Sequence, residues 1–310
     1  SGWSSARAYF NFRHAVRGAT LRANREMASG SSAEWYAESI QDALQSLLRE
    51  AGLVVEPSED RRVALQRTLS ALTGAYGLFG SAGRTGGYSS LHLGHVVQDE
   101  ALAVEQYGRS ARIRFIVIDN MLSNGFESWL WDGWAEAGGW SGGGTIVQVR
   151  SAYADGPLNA LRTARPGPDR DRFIADIAER QRDEDAALRG ERIGTLLAAS
   201  HRLRLQVIDE IAANTRDDSA FVAEFWRATI DYSITLHEGR HALDQAAGLG
   251  LQSEELEYRA KLSQIALSQY PRLGLANVAG QTMGDTPHGA ANRRVLEGFR
   301  SWMGRRAREI

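Results

Sequence analysis

Apolar positions over the first 56 residues recur near every 3.6 residues, the spacing that lines one face of an α-helix. The segment SSAEWYAESIQDALQSLLREAGL carries this most clearly, with Trp35, Ile40, Ala43, Leu47 and Leu48 in one stripe, Ser32 as N-cap and Gly52 as stop. SEDRRVALQRTLSALTGAYGLFG, residues 58–80, repeats the pattern. The glycine- and serine-rich GSAGRTGGYSSLHLGH then predicts a loop, and HVVQDEALAVEQYG a return to helix. In ARIRFIVIDN the alternation of Ile113, Phe115 and Val117 passes into a continuous apolar run, which predicts a partly buried strand; GTIVQVRSAY predicts a second.

Between the two strands, ESWLWDGWAEAGGWSGGG holds four of the eight tryptophans. It reads as an ordered loop pinned by aromatics, and as one wall of a binding cleft, because glycine admits close backbone approach and tryptophan supplies rigid apolar area. RPGPDRDR, around Pro166 and Pro168, is the strongest punctuation in the chain and predicts a lobe boundary. The stretch from Asp171 to Asn214 reads as one or two long helices with a charged, solvated face. These elements predict a mainly α fold with a small β element (α+β). An N-terminal helical lobe over 1–165 carries the strands, and a helical lobe covers 166–310, unless the two form one integrated domain.

Composition narrows the chemistry. A chain of 310 residues with 43% hydrophobic content and mean hydropathy −0.35 suits a globular core. Its 36 basic and 38 acidic residues nearly cancel, so no global field favours nucleic acid or an anionic surface. Lys261 is the only lysine among those basic residues, a bias that by itself assigns no function. With no cysteine there is no disulfide, thiolate metal site or thiol nucleophile, so any metal must take His, Asp or Glu. No apolar run approaches the roughly 18–20 residues of a membrane span. The first residues, SGWSSARAYF, lack an initiator Met and a signal-like apolar core, so the chain reads as trimmed, with an exported or periplasmic setting expected over a cytoplasmic one. No G-x-S-x-G elbow, P-loop or dinucleotide fingerprint is present.

The candidate chemistry lies in SITLHEGRHALDQAAGLG. A helix capped by Asp218 or Ser219 and stopped at Gly248 or Gly250 places Ile230, Ile234, His237, His241 and Asp244 on one stripe. Histidines four apart on one helix converge on a single ion, with Glu238 beside them. Gly239, inside that helix, costs about 1 kcal/mol relative to Ala and is explained if something packs closely against it.

His237, Glu238 and His241 resemble the HExxH motif of the zincin metallopeptidases. The resemblance implies that the two histidines ligate Zn2+, that Glu238 is the general base, and that the substrate is a peptide or protein. A metzincin-like third histidine would fall at Ala247, which disfavours that subclass. A gluzincin-like third ligand would come from the next helix, where Glu254, Glu255 and Glu257 lie within one turn. Glu257 is favoured because EYRA resembles the ExxA pattern of that helix, with the small Ala260 allowing close approach. Lys261 stands where the family often has aspartate. Asp244 is a candidate acceptor for a ligand histidine. His288, after Pro287 in a glycine-rich loop, and Tyr153 are candidate oxyanion donors. His92, His95 and Asp99 form a rival metal set. The alternatives are a non-catalytic helical binding or scaffold protein, a zinc hydrolase of a non-peptide substrate, and a structural zinc site closed by a fourth ligand.

Overall fold

The structure is a computed structural model that describes residues 2–29, 35–50, 52, 78–85, 88–123, 126–127, 138–142, 144–189, 196–281 and 286–306. It is mainly α with a small β element. Ten α-helices are described: α1 Gly2–Ala28, α2 Trp35–Glu50, α3 Asp155–Ala164, α4 Pro168–Arg189, α5 Leu197–Asn214, α6 Asp218–Ile230, α7 Gly239–Ala246, α8 Ser253–Ala266, α9 Pro271–Gly280 and α10 Pro287–Arg306. A π-helical segment, Asp231–Glu238, joins α6 to α7 without a break. The strands are β1 Leu78–Thr85, β2 Tyr88–Gln106, β3 Arg109–Ser123, β4 Phe126–Glu127, β5 Gly139–Gly142 and β6 Thr145–Val149. Their order across the sheet is β1-β2-β3-β6-β5, with β4 on β3.

The sequence reading places a loop and then a helix over residues 80–108, and the structure corrects both to strand. The residues before Tyr107 alternate, with Val104 and Gln106 buried and Ala103 and Glu105 exposed. Tyr107 and Gly108 both take positive φ, 52° and 72°. Two such residues make the tight turn whose twist matches a pair of antiparallel strands, so β2 folds directly back into β3. The strands expected in ARIRFIVIDN and GTIVQVRSAY are β3 and β6. Trp129, Trp131, Trp134 and residues 58–77 of the helix expected over 58–80 lie outside the described residues, while its last three residues, 78–80, are strand.

The chain divides into two compact units, one of Ser1–Asp99, Ile116–Glu136 and Val149–Ser151, the other of Glu100–Phe115, Ala137–Gln148 and Ala152–Ile310. In the first, α1 and α2 pair through Phe12, Val16, Ile40, Leu44 and Leu48, all buried. The buried hydroxyls of Thr20 and Tyr36 satisfy each other at 2.8 Å. Gly52 ends α2 in the left-handed conformation, φ 80°, with its N–H on Arg49 O.

In the second unit, Val207, Ile208, Ile211, Phe221, Phe225, Tyr232 and Leu273 form one core that fixes the helix α6. Asp217 caps α6, accepting from Ala220 N at 2.8 Å, one residue earlier than the cap expected from sequence. Pro166 falls in the short break between α3 and α4, and Pro168 is the first residue of α4, both inside this unit. Arg170 spans the break by donating to Thr163 O at 3.1 Å and Asp209 at 2.7 Å.

Candidate metal centre

The histidine helix is held from behind by the sheet of its own unit. Gly239 has no room for a side chain: a Cβ there would meet Val104 Cγ1 at 3.0 Å and Gln106 Nε2 at 3.4 Å. That close approach is the packing reason for glycine inside this helix. Gln106, itself buried, donates through Nε2 to Leu236 O at 2.9 Å, satisfying a carbonyl of the π-helical segment. In the same sheet, β5 lies so close that a Cβ on Gly139 would sit 2.5 Å from both Ile234 Cδ1 and Val147 O.

Three donor residues converge here. His241 Nε2 is 3.2 Å from His237 Nε2, His237 Nε2 is 3.3 Å from Glu257 Oε2, and His241 Nε2 is 3.4 Å from Glu257 Oε1. Two ligands each about 2.0–2.1 Å from a tetrahedral zinc lie roughly 3.3–3.4 Å apart, so this spacing fits one ion. Two imidazole nitrogens facing each other at this distance repel through their lone pairs unless a proton or a cation lies between them. Glu257 comes from α8, whose Ala260 is fully buried at the helix contact. Of the other two acids in that turn, Glu254 is exposed and Glu255 pairs with Arg294 at 2.5 Å.

The tautomer of His237 is set by a residue the sequence reading did not identify. Gln264 Oε1 lies 3.0 Å from His237 Nδ1, and an amide oxygen only accepts, so Nδ1 carries the proton and Nε2 presents its lone pair to the site. Gln264 sits seven residues after Glu257, two turns along the same face of α8, which is the signal that could have found it. His241 Nδ1 is buried without a hydrogen-bond partner among the described residues. Asp244 does not orient a ligand histidine. It is buried and accepts from Arg240 at 3.1 and 2.7 Å and from Arg259 at 2.8 and 3.0 Å. Two guanidiniums outcompete an imidazole for one carboxylate, and the pairing clasps α7 to α8.

The electrostatics follow from burial against pairing. Burial pushes the Glu257 carboxyl up, but pairing with His237, His241 and His288 outweighs it and holds the group far below the usual carboxylate range. Burial holds His237 below its ordinary value, partly offset by Glu257. His241 is also opposed by burial, yet the carboxylates of Glu257 and Glu238 carry it above its ordinary value. Burial pushes Lys261 down to about 8, against the pull of Glu257 and Glu238.

The triad opens on a cleft of about 280 Å³, lined among others by Glu238, His241, Glu257, His288 and the β5 residues Gly139, Trp140 and Ser141. Glu238 is half-buried on this wall. His288, at the start of α10 and about half exposed, brings Nδ1 to 2.7 Å from Glu257 Oε2. Tyr153 is not among the lining residues. Ser233 donates to Thr229 O at 2.6 Å and lies 3.2 Å from the Tyr153 hydroxyl, whose ionisation burial pushes up. His92, His95 and Asp99 are not brought together, since all three lie on β2 and a three-residue step along a strand sends His92 and His95 to opposite faces. Among the described residues the one group placed to hold an ion is His237, His241 and Glu257. No family model, curated protein or solved structure matches this chain, so the reading of the site rests on its own geometry.

Proposed function

We propose that this chain is a zinc-dependent hydrolase of peptide or other amide bonds, in which His237, His241 and Glu257 hold the metal and Glu238 is the general base. The observation that carries the reading is the convergence of three donor residues, the two imidazole nitrogens 3.2 Å apart and each 3.3–3.4 Å from one of the two Glu257 oxygens, at the wall of a cleft that Glu238 also lines. Their chemistry fits zinc, with two neutral imidazoles and one carboxylate, and leaves no fourth protein ligand among the described residues. When bound, zinc supplies a Lewis acid and lowers the pKa of a coordinated water.

The remaining chemistry belongs to the protein. Glu238 faces the cleft next to His241, where its carboxylate takes a proton from the attacking water and later delivers it to the leaving amine. His288, which lines the cleft, would donate to the oxygen that becomes negative through the ring nitrogen not engaged by Glu257; it is the better candidate than Tyr153, which does not line the cleft and is hydrogen-bonded with Ser233. A peptide is the favoured substrate because β5, an extended strand, lines the same cleft as His241 and Glu257.

Elemental analysis of the purified protein tests the metal, with about one zinc per chain in wild type and none in His237→Ala as the expected result. Peptide-library hydrolysis then tests the chemistry. Glu238→Gln should keep fold and zinc while kcat falls about 10²–10⁴-fold. Retained full activity defeats the role of Glu238. A zinc-loaded protein that cleaves no peptide points to a non-peptide substrate, and a metal-free one to a helical binding protein.

A further inference from the structure

We infer that Lys261 is an electrostatic positioning residue of the metal centre, a fixed cation behind the donors that weakens metal affinity and favours negative charge in the cleft. This rests on the zinc site proposed above. Lys261 is the only lysine among 36 basic residues, in a chain that otherwise uses arginine throughout. It stands four residues after Glu257 and three before Gln264, so all three share the face of α8 that meets the histidine helix.

Its environment suits a compact ammonium and not a guanidinium. Lys261 is 4% exposed, and its Nζ donates to Asn277 Oδ1 at 2.7 Å. A planar fork of five N–H donors would bring more hydrogen-bonding demand into this buried space than an ammonium does. No carboxylate pairs with Lys261 among the described residues, so its charge is not cancelled locally. Residues four apart on a helix face bring their Cβ atoms to about 5–6 Å, so the buried ammonium of Lys261 is a near neighbour of Glu257 in surroundings of low dielectric, where its charge acts on the site.

The charges then sum in a definite way. Glu257 and Glu238 contribute two negative charges, which a divalent ion would neutralise; Asp244 is already more than matched by Arg240 and Arg259, and Lys261 adds one further positive charge. The acceptor of His237 Nδ1–H is the neutral amide of Gln264, which raises imidazole basicity less than a carboxylate would. Both features oppose tight metal binding. Both also favour a state in which an oxygen in the cleft gains negative charge, as in the addition of water to an amide. The site trades affinity for electrophilicity.

The test uses two variants of the whole chain. Lys261→Met removes the charge with little change of volume, and Asn277→Asp leaves the lysine in place but sets a carboxylate against it. Zinc affinity is measured by competition with a chromogenic chelator at about pH 6.5, with circular dichroism as the check on folding. Both variants should bind zinc at least about ten-fold more tightly than wild type, because a nearby cation is neutralised. At saturating zinc kcat should fall about ten-fold, one developing charge having lost its stabilisation. Structural damage loosens a metal site, so a gain in affinity separates this role from a packing role. If Lys261→Met does not fold, Asn277→Asp alone decides. Affinity equal to or weaker than wild type in the folded variants overturns the role of Lys261 and leaves the zinc site standing. Failure of wild type to bind zinc overturns both.

Discussion

Replacing Gln264 by Leu removes the one acceptor of His237 Nδ1–H while keeping an apolar side chain of similar volume in a buried position. Two magnitudes bear on the outcome. A buried donor left unsatisfied costs about 1–3 kcal/mol, which is roughly a 5- to 150-fold change in an equilibrium constant. Loss of the outer partner of a ligand histidine lowers metal affinity about 10–100-fold. The two overlap, and the structure gives the reason for placing the loss in metal affinity. Without Gln264 the imidazole can move its proton to Nε2, the nitrogen that lies 3.2 Å from His241 Nε2 and 3.3 Å from Glu257. That proton blocks the lone pair the metal needs. The assay is zinc affinity by chelator competition near pH 7, with thermal denaturation as a check that the fold survives. Gln264→Glu, which restores an acceptor, should hold wild-type affinity or exceed it. A folded Gln264→Leu protein within about two-fold of wild type refutes the assignment of Gln264 as the residue that sets the tautomer.

Asp244→Ala leaves two guanidiniums without their shared carboxylate, one of them buried, and should cost about 3–5 kcal/mol in urea denaturation. A loss under about 1 kcal/mol speaks against a clasp between α7 and α8. Gly139→Ala brings a methyl to 2.5 Å from Ile234 and from the Val147 carbonyl, and should destabilise by about 1–3 kcal/mol while displacing β5 and raising KM for peptides. An unchanged KM removes β5 from substrate binding. Zinc should bind more weakly as pH falls, because His241, whose ring is held above its ordinary value, must shed a proton to ligate. The apo protein shows the opposite sign for the same group. A raised folded-state pKa contributes stability below the unfolded value and loses it as pH rises through the folded one. Glu257, depressed, contributes stability above the ordinary carboxylate range and loses it on acidification. Chelator competition from about pH 5 to 8 and denaturation from about pH 2 to 8 separate these trends.

The donors were legible because each pair is a local matter of helical spacing. His237 and His241 are one turn apart, and Glu257 sits in the only nearby turn that offers carboxylates on the following helix. The hairpin was not legible for a related reason. Its Gly, Ser and His content outweighed a weak alternation, and the deciding event, positive φ at both Tyr107 and Gly108, belongs to backbone geometry that a Tyr-Gly pair signals only faintly. Asp244 lies on the histidine stripe, but its partner Arg259 reaches it from another helix, and tertiary proximity is invisible in a stripe. Gln264 carries no charge to mark it, although the tautomer needs only an oxygen. The prolines at 166 and 168 do break a helix, but Arg170 bonds across the break, so punctuation of the chain there is not punctuation of the fold.

The π-helical segment Asp231–Glu238 amounts to extra residue length threaded into a helix that runs from Asp218 to Ala246. Each residue inserted into an α-helix turns everything after it by about 100°. The half that anchors in the core through Phe221 and Phe225 and the half that carries His241 therefore keep separate rotational phases on one continuous rod. A single-residue deletion within Asp231–Leu236 would leave every side chain of the site intact and swing His237 and His241 away from Glu257. The angular setting of this centre is encoded in a count of residues as much as in their identity.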